Sequence, residues 1–528
     1  GGSIALLGRQ VGLLDGAVAD ASGATGGGAV RVGGGLRGAD AAWRNADATF
    51  MAPGALLRAD VLVSGNGGLV VLWGTKTARA YGSFSARGGA LGGDGGLIET
   101  SGGWIDVRPA AIDASAPAGR AGRWLIDPDD LFISSDTSDF GVSGGPDFTT
   151  SNDTAQLSTF TISQALNANN NVTITTGDSR SSEGNGDITL SAAFLNVAPT
   201  QPVSLTFQAT GSLLMDNSSI QTLNAPLTVN LLAGAMGGPV GQGDGSGFGG
   251  GIKISASSIA TAGGDITLGG PSMACGPVAG CLAENIGAVA WSGSSVIDGV
   301  AIRGSSLRAG TGRIQIDGHS LVGFADTAGV RIADGSQLEG SRITIRGTVD
   351  AGVFTYTSER YGVVVSDSGI AATEQLHITG KVANDGAQGA EMAATGVDVG
   401  RNSLLLPASG DDEVVKLWAN LRVPLRSVLD IPFEAGTLAL SGAAAVAGSS
   451  LRCCSKYCCG GASVCAAKVR CTGSTCSSSA FSSLRWRVSD GFIASPSASS
   501  VHTGCHGCGS PGGKLPSAVV WQRARAPS

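Results

Sequence analysis

The chain has 528 residues, a formal net charge of −7, 85 glycines and only 14% charged residues. Glycine so far above its usual share of about 7% suits collagen, disorder or a turn-rich β repeat. The glycines keep no three-residue period, which excludes collagen, and an apolar fraction of 42% with positive mean hydropathy excludes a fully disordered chain. No apolar run reaches the 18 residues that a membrane-spanning helix needs. The chain opens on GGSIALLG, without Met or a basic-then-apolar leader, so an internal or C-terminal piece of a longer protein is expected.

Short alternating strands begin at once. GGSIALLG at Gly1, GGGAVRVGG at Gly26, GNGGLVVLWG at Gly65 and GGDGGLIETSG at Gly92 each place glycines before an alternating strand. From Gly88 to Asp130 the segments Leu97–Glu99, Trp104–Val107, Ala111–Asp113 and Trp124–Ile126 read as strands of three or four residues. Gly, Ser, Asp or Pro follows each one closely, setting turns and leaving no room for a helix there. DITLSA at Asp187 and DITLGG at Asp265 continue the theme. From Gly299 a longer repeat appears: GVAI at Gly299, GVRI at Gly329, GVVV at Gly362 and GVDV at Gly396. RIQIDG at Arg313, RITIRG at Arg342 and QLHITG at Gln375 keep step with it.

Strands this short hold no core alone. Their unpaired edges are satisfied by stacking on copies of themselves about 4.8 Å apart, which aligns the apolar residues into interior rows. The expected fold is therefore all-β, a right-handed parallel β-helix. Ile314, Ile316, Ile343, Ile345, Leu376 and Ile378 are expected inside, and Asn169 to Asn171 are expected to ladder near a turn. A β-propeller, with blades of 40–50 residues, fits the spacing poorly. The composition divides the chain into 1–135 with the Gly-rich signature, 136–298 with a Gly-rich loop, 299–448 with the longer repeats, and a tail at 449–528. The tail holds nine of the eleven cysteines and nine basic residues against one acid, leaving 25 basic and 40 acidic residues before it. CCSKYCC (Cys453 to Cys459) and HTGCHGC (His502 to Cys508) have ligand types that suit zinc, but the repeats stop abruptly at AVAG. The tail is expected to be disordered or frame-shifted rather than a metal module, and neither metal nor cofactor is expected elsewhere.

Little supports catalysis. His319 and His377 sit on strand patterns and are expected to face solvent. GVSGG places Ser143 in a GxSxG string with no helix after it, and the glycine-dense segment at Gly241 to Gly251 has no βαβ unit around it. Asp127, Asp129 and Asp130, and again Asp411, Asp412 and Glu413, cluster as the paired acids of a glycosidase or polysaccharide lyase would. Aromatic sugar platforms are scarce, at 5% aromatics, and the tandem calcium-binding nonapeptides are missing. Cys275 and Cys281, in CGPVAGC, fit a loop disulfide in an oxidising compartment, with two free thiols as the alternative.

The blocks GGDGGLIETSG, DASAPAG (Asp113 to Gly119) and GRWLIDPDD (Gly122 to Asp130) resemble the signature of filamentous haemagglutinin-type exoproteins of bacterial two-partner secretion. The resemblance is most specific from Gly65 to Ile133 and looser from Gly1 to about Gly448. It implies a non-enzymatic adhesin shaft, secreted or on the surface of a Gram-negative bacterium. The implied partners are an outer-membrane transporter and host-cell glycans or receptors, with no nucleic acid. The secretion domain, with its signal and Asn-Pro-rich motifs, is not found in this chain. A carbohydrate-active β-helix enzyme is the alternative function.

Overall fold

The computed structural model describes residues 1–109, 111–135, 154–176, 186–234, 250–270, 298–320, 327–351, 360–384 and 394–399, with a few short strands elsewhere. The protein is mostly β, and its long ladders run parallel, consistent with a β-solenoid. Two compact units divide it: Gly1–Val296 with Ser306–Arg313, and Ile297–Ser305 with Ile314–Ser528.

In the first unit most strands skip their neighbour in sequence, although Asp130–Ser134 does pair with the next one, Thr154–Ser158. Asn171–Thr175 pairs with Val203–Gln208, which pairs with Leu227–Leu232, which pairs with Ile266–Gly269. Two further tracks lie between: Ile188–Ser191 with Leu213–Asp216 and Ile252–Ser255, and Phe194–Val197 with Ser219–Thr222 and Ser258–Ala260. Each turn of chain thus contributes three strands. Because side chains alternate along a strand, in-register stacking keeps one apolar row inside. Val30, Val70, Ile98, Trp124, Val172, Leu205, Val229 and Ile266 form such a row, each without solvent exposure. Fully burying side chains of this size contributes roughly 1.5–3 kcal/mol each.

The glycines before these strands serve close approach. Gly68, Gly96 and Gly122 immediately precede the paired residues Leu69, Leu97 and Arg123. A Cβ on Gly68 would stand 2.1 Å from the Gly28 carbonyl oxygen; one on Gly96, 2.1 Å from that of Gly68; one on Gly122, 2.3 Å from that of Gly96. The backbone corner leaves no space for a side chain, so the signature block carries glycine there.

Two elements depart from the expected pattern. Leu97–Glu99 and Trp104–Val107 are not separate strands: Leu97–Val107 runs through Gly102 and Gly103 as one strand beside Leu69–Ala80. Two glycines were expected to make a turn, but the long parallel ladder holds them extended, with a register shift in the neighbour between Gly74 and Thr77. The second departure is a helix, α1, at Thr159–Asn167. Its N-cap Ser158 accepts a hydrogen bond from the Phe160 amide, and Ile162, Ala165 and Leu166 give it a buried stripe. It ends at Asn167, and two residues on the chain turns at Asn169, whose φ of 59° Asn tolerates well.

Asn169 to Asn171 do not ladder on one another; each ties its own turn of chain to a neighbour. Asn169 Oδ1 accepts from the Thr200 amide, and Asn170 bonds the backbone on either side of Asp113, accepting from the Ala114 amide and donating to Ile112 O. Asn171 bridges Ala121 and Ser204.

In the second unit the longer repeats lie directly over one another. Val300, Val330, Val363 and Val397 are register partners, all buried. Ile314, Ile343 and Leu376 form one row and Ile316, Ile345 and Ile378 another, each residue at most 1% exposed. The in-step spacing in the sequence is this register. Asp298, almost buried, accepts from the Ala328 amide and from Arg331 Nε at 2.8 Å, tying two repeats together.

Candidate functional site

The densest group of perturbed charges lies on the outer face of the strands Leu69–Ala80, Leu97–Val107 and Arg123–Asp127. Ile98 and Thr100 point to the interior, where Thr100 Oγ1 accepts from Trp124 Nε1 at 3.0 Å. Glu99 alternates with them and belongs to the outer face, yet it has no solvent exposure. Residues 33–47 cover it.

This segment leaves Ala29–Val32, contains the short 3-10 turn Leu36–Gly38 and returns at Ala48. Its neck closes where the Ala46 amide donates to Gly33 O at 2.6 Å. At its tip the Arg37 backbone N–H donates to both carboxylate oxygens of Glu99, at 2.8 and 3.0 Å. Arg37 Nε stands 3.9 Å from Asp127 Oδ2, and Asp127 Oδ1 accepts from Thr175 Oγ1 at 2.6 Å. Burial pushes Glu99 up to about 7, against the pull of the Arg37 amide, and nearby Asp127 adds to the rise. Burial also raises Asp127, although Thr175 and Arg37 lower it. Arg123 is coupled electrostatically to both Arg37 and Glu99.

The three aspartates expected to act together are sent in different directions. Asp127 turns to Thr175 and Arg37; the Asp129 amide donates to Gly103 O at 3.1 Å; Asp130 Oδ1 accepts from the Asp187 amide at 2.8 Å. Asp187 is itself raised, by burial first and by the charge of Asp130. The carboxylate that shares an environment with Asp127 is Glu99, brought there by the pairing of Ser101 with Asp127. Sequence reasoning missed it, although a glutamate set directly after the apolar pair Leu97 and Ile98 within a strand is a signal that the residue is not simply solvated.

His319 and His377 sit at half-buried outward positions on separate strands, and His377 Nε2 lies 2.8 Å from Thr379 Oγ1. Among the described residues no three His, Cys, Asp or Glu side chains are grouped to hold a metal. Cys275 and Cys281, Ser143, the acids at 411–413, most of the glycine-dense loop and the side chains of the tail, including Cys453 to Cys459 and His502 to Cys508, lie outside the described residues.

A second buried carboxylate, Asp60, is 1% exposed and fully engaged. It accepts from the Arg87 amide, Ser85 Oγ and the Arg87 guanidinium at 2.5–3.1 Å. It crosslinks turns of chain and leaves no acceptor for a ligand. No helix is long and apolar enough to cross a membrane among the described residues. Compared with known proteins, the chain matches no family model and no curated protein.

Proposed function

We propose that the protein is the shaft of a non-enzymatic adhesin, a right-handed parallel β-helix secreted or held on the surface of a Gram-negative bacterium. The observation that carries this reading is the in-register stacking of the repeats, which leaves rows of small polar side chains facing outward. Ser204, Thr206 and Gln208 stand beside Thr228, Asn230 and Leu232, and Asn230 Nδ2 donates to Thr206 Oγ1 at 3.0 Å. Such a surface is long, regular and suited to many weak polar contacts. Its resemblance to haemagglutinin-type exoproteins adds an outer-membrane transporter as export partner and host-cell glycans or receptors as ligands. No nucleic acid partner is part of this reading.

A carbohydrate-active enzyme is the second reading, and Glu99 with Asp127 is the observation that favours it. A carboxyl lifted to about 7 beside another carboxylate is the electrostatic condition for acid catalysis. Against it, Glu99 is sealed beneath residues 33–47 and both its oxygens are occupied. The purified chain is expected to bind cells or arrayed glycans and to release no new reducing ends from them. Depolymerisation that disappears in Asp127→Asn would move the assignment to the enzyme.

A further inference from the structure

We propose that residues 34–45 form a proton-sensitive cover, closed over the outer face of the sheet when Glu99 is protonated and released when Glu99 ionises. Three geometric observations place a segment that can lift directly over Glu99. The cover is a loop with a closed neck: Gly33 and Ala46 are bonded backbone to backbone, so the segment between them can lift without disturbing the strands on either side.

Its seat is also unfavourable. Arg37 takes φ of 55°, which costs a side-chain-bearing residue, while Asn45 Oδ1, Thr49 Oγ1 and Trp73 Nε1 are buried with no hydrogen-bond partner among the described residues. Finally, its tip rests directly on Glu99 and on the Trp73 ring, so near that a Cβ on Gly38 would stand 2.4 Å from the indole. Closure is therefore balanced by opposing terms, and whatever changes the charge beneath it tips that balance.

The charged neighbours set the direction. Arg37 faces Glu99 from the cover, Asp127 and Arg123 from the next strand, and Arg31 lies two strands away in the same outward row, its guanidinium 4.8 Å from the Trp43 ring of the cover. The arginines keep their charge across the accessible range, so the carboxyls decide. Glu99 stands at about 7 when covered and near 4.5 when released to water. Closing therefore takes up a proton. It is fully supported below about 4.5 and is progressively lost as pH rises through 7. Burial raises Asp127 as well, so it acts with the same sign. Opening uncovers Glu99, frees the Trp73 ring from Gly38 and takes Arg37 from Asp127, leaving a patch that is apolar and acidic.

Hydrogen exchange of the full chain between pH 5 and 8, divided by the intrinsic chemical rate, tests this. Opening of residues 34–45 is expected to rise roughly 70-fold over that range from Glu99 alone, while the amides of Leu97–Val107 keep their protection. In Glu99→Gln the slope should shrink to the part that Asp127 supplies. A flat profile in the unaltered protein, or an unchanged slope in Glu99→Gln, would overturn the proposal. Should Glu99→Gln fail to fold, Arg37→Gly supplies the second test. That variant relieves the left-handed residue and removes the ion pair to Asp127, but it keeps the backbone N–H bond to Glu99 and both carboxyls. The pH slope should therefore persist, and loss of the slope overturns the proposal equally.

Discussion

The strands Val203–Gln208 and Leu227–Leu232 share an interior with Leu69–Ala80 and Leu97–Val107 but differ on the outside. Inside, both regions stack large apolar side chains without exposure: Phe207 and Leu231 in one, Leu72 and Ile98 in the other. Outside, the first presents Ser204, Thr206, Thr228 and Asn230 to solvent. The second keeps Val71, Glu99 and Leu125 buried in one outward row, with residues 33–47 bonded to Glu99 and packed on Trp73. A single strand geometry therefore supports either an alternating sequence or a continuous apolar run, and the cover decides which. The row inside is common property of the fold; the row outside belongs to each turn.

The sharpest check on that common interior is to cut it in both regions. Phe207→Ala and Trp124→Ala each remove a fully buried ring, from two neighbouring interior rows of the same stack, and each should cost about 3–5 kcal/mol. Native-state hydrogen exchange should place the loss in the coil that carries the substitution and its immediate neighbours, because repeats are stabilised by nearest-neighbour stacking. Equal losses in the covered and uncovered regions mean that the interior does not depend on the outer face. A much larger loss at Trp124, beyond its hydrogen bond to Thr100, would show that cover and core are coupled.

The outer face gives the contrast of the next size. Leu125→Ala strips an apolar side chain that is 1% exposed on the covered face and should cost about 2–3 kcal/mol. Thr206→Ala, at the equivalent outward position of the bare region, should stay within about 0.5 kcal/mol despite losing the Asn230 contact. Urea unfolding followed by exchange in each coil separates the two. Similar losses at both sites would break the comparison.

What was legible in the sequence follows the same division. The Ile314, Ile343, Leu376 row could be read from repeat spacing because register and periodicity are the same fact seen twice. The glycines before each strand could be recognised as a motif, while the reason for them, a carbonyl 2.1 Å from any added Cβ, is visible only once the turns are stacked. The continuous runs LVVLW and WLI were a sign of strands buried on both faces, and that sign was not drawn out. Glu99 and residues 33–47 meet across 62 positions of sequence, and no local pattern announces such a docking. The helix α1 was hidden by Thr159, Thr161 and Ile162, β-branched residues that suit a strand, although Ser158 and the Ile162, Ala165, Leu166 spacing mark a helix.

That helix interrupts the stack, and Asn170 shows how the interruption is tolerated. The strand Ala111–Asp113 has Ser83–Ser85 on one side and α1 against it in place of the next strand. A helix satisfies its own backbone internally and offers no ladder, which would leave buried donors and acceptors of the strand unpaired. Asn170, fully buried and one residue before the paired Asn171 and Arg123, supplies what is missing. Its Nδ2 donates to Ile112 O at 3.0 Å and to Ala165 O at 2.8 Å, while its Oδ1 accepts from the Ala114 amide at 2.5 Å. A side chain with one donor group and one acceptor on the same plane thus replaces a strand edge and fastens α1 in the same step. Asn170→Ala should destabilise this turn by about 1–3 kcal/mol through the orphaned Ile112 and Ala114 groups, leaving the Val203–Gln208 ladder protected. Asn170→Asp separates hydrogen bonding from size. An ionised carboxylate cannot donate to Ile112 or Ala165, and burial raises its pKa. The variant is therefore expected to lose more than Asn170→Ala at pH 7 and to recover as the pH falls and the carboxyl protonates. If both variants melt like the unaltered protein, the amide is not what holds the helix in the stack.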